Sequence, residues 1–218
     1  MRRAGMPILL LVVVLGGVLA AQRPAAVLQF EIRHAERDVP ELAAVLELEP
    51  GMTVADIGAG GGAMTMFMAK RLGPAGRVYA TEIGTPQLEE IRQLVSREGL
   101  ENVIVIEGQA RSTNLPDACC DAIFMQDVYH HLTSPSEINR SVLAALKPGG
   151  RLAVIDFEPQ PGSKVPAGVA ANRGGHGIPP ALVVGEVLAS GFIHVTTIGT
   201  WPPRANPAEF FLALFRKS

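Results

Sequence analysis

One short segment, residues 56–63 with the sequence DIGAGGGA, restricts the fold of this chain more than any other. It follows an apolar run at residues 53–57 that predicts a buried strand, and it leads into a helical pattern at residues 63–72. Glycines have no Cβ atom, so the backbone can turn sharply and approach a ligand closely. The free N–H groups at the start of the helix then point at that ligand. The segment therefore predicts a nucleotide-type binding loop between a strand and a helix.

The alternation of strand and helix continues along the rest of the chain. Connections between strands that each contain a helix imply right-handed crossovers and a parallel sheet. Two last apolar segments, separated by a Pro-rich turn, predict an antiparallel pair. We therefore predict an α/β fold: a Rossmann-like, doubly wound, mostly parallel seven-stranded sheet with an antiparallel C-terminal strand pair. The strands are predicted at residues 53–57, 77–82, 103–107, 121–126, 151–156, 192–198 and 209–215, and the helices at 41–48, 63–72, 86–98, 136–146 (with Ser136 as a cap) and 180–190.

The first 21 residues have the pattern of a secretory signal. Arg2 and Arg3 precede an uncharged apolar run, residues 6–21, that ends in small side chains. The run is shorter than the roughly 20 residues that a membrane-spanning helix needs. We expect export to the periplasm or the extracellular space, or anchoring to a membrane through residues 6–21. A misassigned start would instead leave the protein in the cytoplasm.

The rest of the chain divides into a short extension and one domain. Residues 22–40 are polar to mixed and end at Pro40, a helix breaker, so they are predicted to be a linker or N-terminal extension. Residues 41–218 are predicted to form the α/β domain. Removal of the first 21 residues takes away two arginines and no acid, which changes the net charge from −2 to −4. With only 5% aromatic residues, this mildly acidic body is not expected to bind nucleic acid.

A carboxylate follows the glycine loop at the spacing of a ribose contact. Glu82 ends the next predicted strand, 20 residues beyond Gly62, and a carboxylate there can accept hydrogen bonds from ribose hydroxyls. The series Gly58-x-Gly60-x-x-Ala63 also satisfies the dinucleotide pattern, so NAD competes as the ligand. A glycine-rich turn without any ligand is the purely structural alternative.

Five segments, in this order and at this spacing, resemble class I S-adenosylmethionine-dependent methyltransferases of the small-molecule type. The resemblance covers residues 40–218, and the late LKPGG turn and the closing strand pair fit that family better than a dehydrogenase. It implies S-adenosylmethionine as cofactor and a small-molecule methyl acceptor. The segments are VADIGAGGGAMT (54–65), VYATEI (78–83), VIEGQA (105–110), CDAIFMQDVYHH (120–131) and LKPGGRLAVIDF (146–157).

Two other functions stay open beside methyl transfer. The chain could be a catalytically inactive S-adenosylmethionine-binding protein, which the export segment favours because this cofactor is a cytosolic metabolite. It could also be an NAD-dependent oxidoreductase, since the glycine pattern alone does not separate the two ligands.

The resemblance also assigns cofactor contacts residue by residue. The glycine loop would lie against the methionine end of the cofactor, the second strand end against the ribose, the third against the adenine and the fourth near the transferred methyl group. Many relatives carry Asp where this chain has Gln109, and Gln can both accept and donate at the adenine. The residues implied in this way are Asp56, Gly58, Ala59, Gly60, Glu82, Ile83, Gln109, Ala110, Gln126 and Asp127.

The catalytic candidates follow the fourth predicted strand. His130 and His131 lie just beyond its carboxyl end, where open α/β sheets bind ligands. A histidine there can take a proton from a hydroxyl or thiol acceptor, and Asp127 is the third candidate. A base is needed only if the accepting atom holds a proton. A contact to substrate or cofactor, or structural packing, is the alternative for each histidine.

Two other groups have a functional and a structural interpretation. Arg173 and His176 lie in the long loop after the fifth strand, where a lid or substrate selector is common, although a solvated loop has the same composition. His34, between Arg33 and Arg37, either folds over the site or forms part of a charged surface.

No metal site is expected from spacing. His130, His131, His176 and the cysteines match no zinc-ligand pattern. Cys119 and Cys120 are adjacent, and because neighbouring cysteines rarely bridge, we expect two separate thiols acting as apolar filler at a strand entrance.

Overall fold

A single seven-stranded sheet with helices on both faces is built by residues 25–203 and 210–218, the parts of the chain that this computed structural model describes. The predicted signal or anchor segment, residues 1–21, lies outside the described residues. Among those described, no helix combines the length and the apolar character that crossing a bilayer requires. The strands are β1 (Thr53–Ile57), β2 (Arg77–Glu82), β3 (Val103–Glu107), β4 (Cys120–Gln126), β5 (Leu146–Asp156), β6 (Ile193–Trp201) and β7 (Phe210–Arg216), and the helices are α1 (Ala25–Val45), α2 (Ala63–Leu72), α3 (Thr85–Glu98), α4 (Pro135–Ala145) and α5 (Pro180–Leu188).

The order of the strands confirms the predicted architecture. The sheet runs β3-β2-β1-β4-β5-β7-β6, with the first five strands parallel and β7 antiparallel to both of its neighbours. The last strand in sequence lies inside the sheet because residues 211–215 form an unbroken buried run that needs cover on both sides. β6 is mostly exposed and forms the edge.

The helices divide between the two faces as a doubly wound fold requires. Along each central strand the side chains alternate, so that Val54 packs into one apolar cluster and Ala55 into the other. The first cluster is covered by α1, α2 and α3, and the second by α4 and α5. Both faces of the sheet are therefore buried. Ligands can reach the sheet at the ends of its strands.

The N-terminal part of the predicted domain differs from expectation. One helix runs from Ala25 through Pro40 to Val45, so it takes in most of the predicted linker at residues 22–40 and ends three residues before the predicted end of the helix at 41–48. Pro40 faces solvent, whereas Ala35, Val39 and Leu42 are buried against the sheet layer. Burial of Val39 and of Leu42 contributes about 1.5–3 kcal/mol each. Together they outweigh the roughly 3 kcal/mol that a proline costs inside a helix.

Two local predictions were wrong. α4 begins at Pro135 after Ser134, and no side chain caps it, so Ser136 lies inside the helix. Cys119 and Cys120, expected to be separate thiols, are joined by a disulfide at the start of β4.

Candidate active site

The glycine loop has the left-handed backbone that only glycine adopts without strain. Gly58, Gly60 and Gly62 have φ angles of 72°, 55° and 84°. A Cβ atom on Gly58 would lie 2.5 Å from a methyl carbon of Val128, so the loop and the segment after β4 are in close contact. The Gly58 amide donates to the carbonyl of Thr81 at 2.9 Å, which fixes the loop against the end of β2.

Glu82 holds the same loop from the neighbouring strand. Its Oε2 accepts a hydrogen bond from the Gly60 amide at 3.1 Å, and its Oε1 accepts one from the Ile83 amide at 2.8 Å. Because a carboxylate has about four acceptor positions, capacity remains for ribose hydroxyls. The structure therefore brings Glu82 to the loop, as the ribose assignment needs.

Asp56 is the buried acid of the site. Its carboxylate is 3% exposed and accepts a hydrogen bond from the Thr65 hydroxyl at 2.7 Å. Burial raises the pKa of Asp56 to about 7; the Thr65 hydrogen bond opposes this shift, and the nearby Glu82 carboxylate adds to it. A cation placed against Asp56 would restore its ionised form.

A cavity of about 260 Å³ lies in front of the loop. Six of the predicted cofactor residues line it. The Oε1 atom of one of them, Gln126, is buried and has no hydrogen-bond partner in the described part of the chain. An orphaned acceptor in a cavity wall fits a ligand that donates a hydrogen bond. The six residues are Asp56, Gly58, Ala59, Gly60, Gln126 and Asp127.

The remaining predicted cofactor residues lie at the same edge of the sheet but outside the walls of this cavity. Ile83 is 63% exposed beyond the end of β2. Gln109 and Ala110 are exposed beyond the end of β3, where the Gln109 amide donates to the Ser112 carbonyl at 2.7 Å. The ribose and adenine assignments therefore stay predictions.

A second, larger cavity of about 570 Å³ adjoins the first. Both are lined by Asp127, Phe210 and two residues of α1, Phe30 and His34. Of the two sequence alternatives for His34, the structure supports a place over the site. Phe30 was missed, because the helix that carries it was predicted to be a linker. The larger cavity is also lined by Phe157 and Phe211, so four phenylalanines contribute to its wall.

Asp127 lies where the two cavities meet. It has a left-handed backbone with φ of 59°, which is uncommon for a residue other than glycine and is typical of functional positions. Partial desolvation raises the pKa of its carboxyl group, the Asp156 carboxylate raises it further, and His130 and His176 oppose the shift. The carboxyl group lies where it can accept a hydrogen bond from a ligand in either cavity.

The predicted catalytic histidines form a cluster beside these cavities. His130 is fully buried, and its ring lies 2.9 Å (Nδ1 to Oδ1) from Asp156 and 3.2 Å (Nε2 to Nε2) from His176. His131 is exposed, and its ring centre lies 4.0 Å from that of His130. Burial, followed by the neighbouring His130 and His176, lowers the pKa of His131. Of the described residues that line the two cavities, His34 is the one histidine, so catalysis by His130 or His131 stays a prediction.

Arg173 anchors the long loop that brings His176 to the cluster. It is 1% exposed, forms an ion pair with Glu186 of α5 at 3.2 Å and lies 5.8 Å from the centre of the Tyr129 ring. The solvated-loop alternative is therefore wrong for Arg173, which is buried between the loop, α5 and the segment after β4.

A comparison with known families decides the class of the fold. Residues 55–154, from β1 to β5, match a family model described as a methyltransferase domain. These residues therefore form a methyltransferase domain, and the chain is similar to class I S-adenosylmethionine-dependent methyltransferases. S-adenosylmethionine is the cofactor of this family, and the loop without Cβ atoms, the buried acid and the orphaned Gln126 oxygen fit it.

Curated relatives match about half of this chain. The ubiquinone/menaquinone biosynthesis C-methyltransferase UbiE of Ectopseudomonas mendocina (strain ymp) is 32% identical over 123 residues, which are 56% of this chain and 48% of the relative. The chain spans about half the length of the curated relatives it matches.

Solved structures share the fold across most of this chain. A SAM-dependent methyltransferase from Aquifex aeolicus has a TM-score of 0.66 at 22% identity, covering 85% of this chain and 97% of that one. The [4+2]-cyclase SpnF has a TM-score of 0.67 at 18% identity, covering 85% and 81%. One fold thus carries differently named activities, and the reaction has to be argued from the site.

Proposed function

We propose that this protein transfers the methyl group of S-adenosylmethionine to a small acceptor with an apolar body. The observation that carries the proposal is the pair of adjoining cavities with Asp127 in the wall of both. The first has the glycine loop and the buried acid that suit the cofactor. The second is bounded by phenylalanines that suit an apolar acceptor.

Methyl transfer depends mainly on the orientation of the cofactor and the acceptor. When bound, the cofactor supplies a methyl group that its sulfonium already makes electrophilic. The glycine loop, Glu82 and Gln126 would hold the cofactor, and the walls from α1 and β7 would exclude water from the reacting atoms. Alignment of two bound groups can supply about 7–11 kcal/mol of the barrier. Asp127 would orient the accepting atom by a hydrogen bond from the border between the cavities.

The character of the acceptor follows from the larger cavity. Phe157, Phe210 and Phe211 contribute apolar surface, while Glu158 and Gln160 add polar groups at the same wall. An acceptor with an apolar, ring-sized body and one polar edge suits this arrangement. The name of the UbiE relatives points to acceptors of this general kind, and the match covers about half of each chain.

The two alternatives make different predictions for ligand binding. The NAD-dependent oxidoreductase is disfavoured because the antiparallel β7 lies inside the sheet, unlike the parallel dinucleotide-binding order. In thermal-shift measurements we expect S-adenosylmethionine and S-adenosylhomocysteine to raise the Tm and NAD to leave it unchanged. Stabilisation by NAD alone would contradict the proposal.

Turnover separates the enzyme from an inactive binding protein. The full chain is incubated with S-adenosylmethionine labelled in its methyl group and a panel of phenols, quinols, thiols and amines. We expect transfer of label to an acceptor that also raises the Tm of the cofactor-loaded protein. Cofactor binding without transfer across the panel would favour the inactive binding protein.

A further inference from the structure

We propose that His130, His131 and His176 form a binding site for one divalent late first-row transition metal ion, such as Zn²⁺, in which Asp156 orients His130. The nitrogen atoms that these three histidines offer all lie within 4.8 Å of one another. Imidazole nitrogens suit Zn²⁺, Cu²⁺ and Ni²⁺. This site does not depend on methyl transfer and goes beyond the proposed function.

The distance between two of the rings fits a shared ion. The Nε2 atoms of His130 and His176 lie 3.2 Å apart. Two nitrogens bound to one tetrahedral Zn²⁺ at about 2.0–2.1 Å are separated by about 3.3–3.4 Å. Without metal, one Nε2–H donates to the other Nε2 at this distance. A metal ion would take the place of that proton between the two Nε2 atoms.

Asp156 fixes the proton on the far side of His130. Its Oδ1 lies 2.9 Å from His130 Nδ1, and its Oδ2 accepts a hydrogen bond from the His130 backbone amide at 3.0 Å. The Phe157 amide also donates to Oδ1, at 2.9 Å, so the fully buried carboxylate is itself held in place. Because a carboxylate can only accept from Nδ1, the lone pair of His130 lies on Nε2 and points toward His176. This is the carboxylate–histidine–metal arrangement of known metal sites.

The loop after β5 places His176 in the histidine cluster. The His176 amide donates to the Ser163 hydroxyl at 2.7 Å, and the His176 carbonyl accepts from the Gln160 amide at 2.9 Å. The next residue, Gly177, has φ of 110°, and a Cβ atom there would lie 2.7 Å from the Glu158 carbonyl. A glycine, at a position where a side chain would clash and strain the backbone, thus turns this histidine inward.

The cluster leaves room for a fourth ligand. His131 is exposed and His176 half-buried, so the side away from Asp156 is open to solvent. Three protein ligands with one open position are the pattern of catalytic rather than structural zinc sites. The Phe157 ring lies 4.9 Å from the His130 ring and 5.3 Å from the His176 ring, and it also lines the larger cavity. The ion would therefore neighbour the proposed acceptor site.

The test is metal binding by the full chain, freed of any histidine tag and of bound metal. Zn²⁺ is titrated calorimetrically and in competition with a chromogenic chelator, and Co²⁺ is added to read the visible bands of tetrahedral coordination. We expect one equivalent of each to bind with micromolar or tighter affinity. His176→Ala should lower the affinity by more than the roughly 10–100-fold that loss of an outer-shell partner costs.

A histidine elsewhere in the fold gives the matched control. His194, on β6, lies 2.9 Å from the Thr197 hydroxyl, and His194→Ala should leave Zn²⁺ binding unchanged. Asp156→Asn should weaken binding by about 10–100-fold and alter the Co²⁺ spectrum, which a merely structural role would not do. If the buried His130 cannot be replaced without unfolding, His131→Ala and His176→Ala, nearer the surface, carry the test.

Two results would overturn the site: no saturable binding in the micromolar range, or binding that survives His176→Ala. Because these titrations contain no cofactor, their failure leaves the methyl-transfer proposal intact. Failure of S-adenosylmethionine binding or turnover would equally leave the metal site intact.

Discussion

At the scale of single residues, the burial of Asp56 makes cofactor binding sensitive to pH. With a pKa of about 7, the carboxyl group holds a proton in the free protein below that pH. The cationic end of the cofactor favours the carboxylate, so binding must release this proton. The affinity for S-adenosylmethionine should fall by about tenfold per unit as the pH drops below about 7 and should level off above it.

Calorimetric titration between pH 5.5 and 8 checks this dependence on Asp56. Asp56→Asn should bind more weakly at pH 8 and give a nearly flat profile, because it has no proton to release. An unchanged slope in that variant would assign the pH dependence to another group.

Glu82 gives a second prediction at this scale. Glu82→Ala removes both the proposed ribose contact and the acceptor that holds the Gly60 amide, so cofactor affinity should fall by at least about tenfold. Glu101→Ala is the matched control, since Glu101 is exposed just before β3 at the opposite edge of the sheet. Equal affinity of Glu82→Ala and the wild type would show that the ribose lies elsewhere.

The contact between Gly58 and Val128 can be tested with a second, compensating substitution. Gly58→Ala places a Cβ atom 2.5 Å from the valine methyl and also strains a φ of 72°, so we expect a loss of about 1–3 kcal/mol in the free energy of unfolding and weaker cofactor binding. Adding Val128→Ala should recover part of that loss, because it removes the clash and leaves the backbone strain. Denaturant unfolding of both variants measures the free energy that is lost and the part that is recovered. Absence of any recovery would assign the whole effect to the backbone.

At the scale of elements, α1 is the part of the site that the sequence pattern did not predict. Pro40 faces solvent inside this helix, and its ring costs one hydrogen bond and a clash with the preceding turn. Pro40→Ala should therefore raise the free energy of unfolding by up to about 3 kcal/mol, measured by denaturant titration. The same change at Pro74, in the turn after α2, should have little effect. A destabilised Pro40→Ala protein would mean that the bend itself is needed for packing.

The strands were predictable because each depends on local signals. Apolar runs such as the one ending at Ile57, and the glycines after it, are read within a few residues and specify a strand followed by a tight turn. The histidine cluster was not predictable, since His130 and His176 are brought together by the loop after β5 and match no spacing rule. That α1 covers the site was missed, because local sequence alone marks Pro40 as a helix breaker. The burial of Val39 and Leu42, which keeps the helix intact through Pro40, depends on tertiary contacts.

At the scale of the whole molecule, the prediction for residues 1–21 concerns where the methyltransferase fold works. We propose that residues 1–21 direct export or anchor the chain to a membrane. A fusion of residues 1–40 to alkaline phosphatase should be active outside the cytoplasm, because that enzyme requires export to fold. Leu10→Arg with Val13→Arg should abolish the activity by breaking the apolar run. An inactive wild-type fusion would place the domain in the cytoplasm with its cofactor, and full activity of the charged variant would show that export does not depend on the apolar run.

The shared wall from α1 has a consequence for the order of events in a catalytic cycle. Phe30 and His34 face both cavities, so a ligand that fixes this helix from one side reduces the conformational entropy that the second ligand must remove. Such a coupling is reciprocal, and each ligand must tighten the other by the same factor. Cofactor and acceptor would then load with positive cooperativity. Release of one product would loosen the helix over the other and so promote its departure.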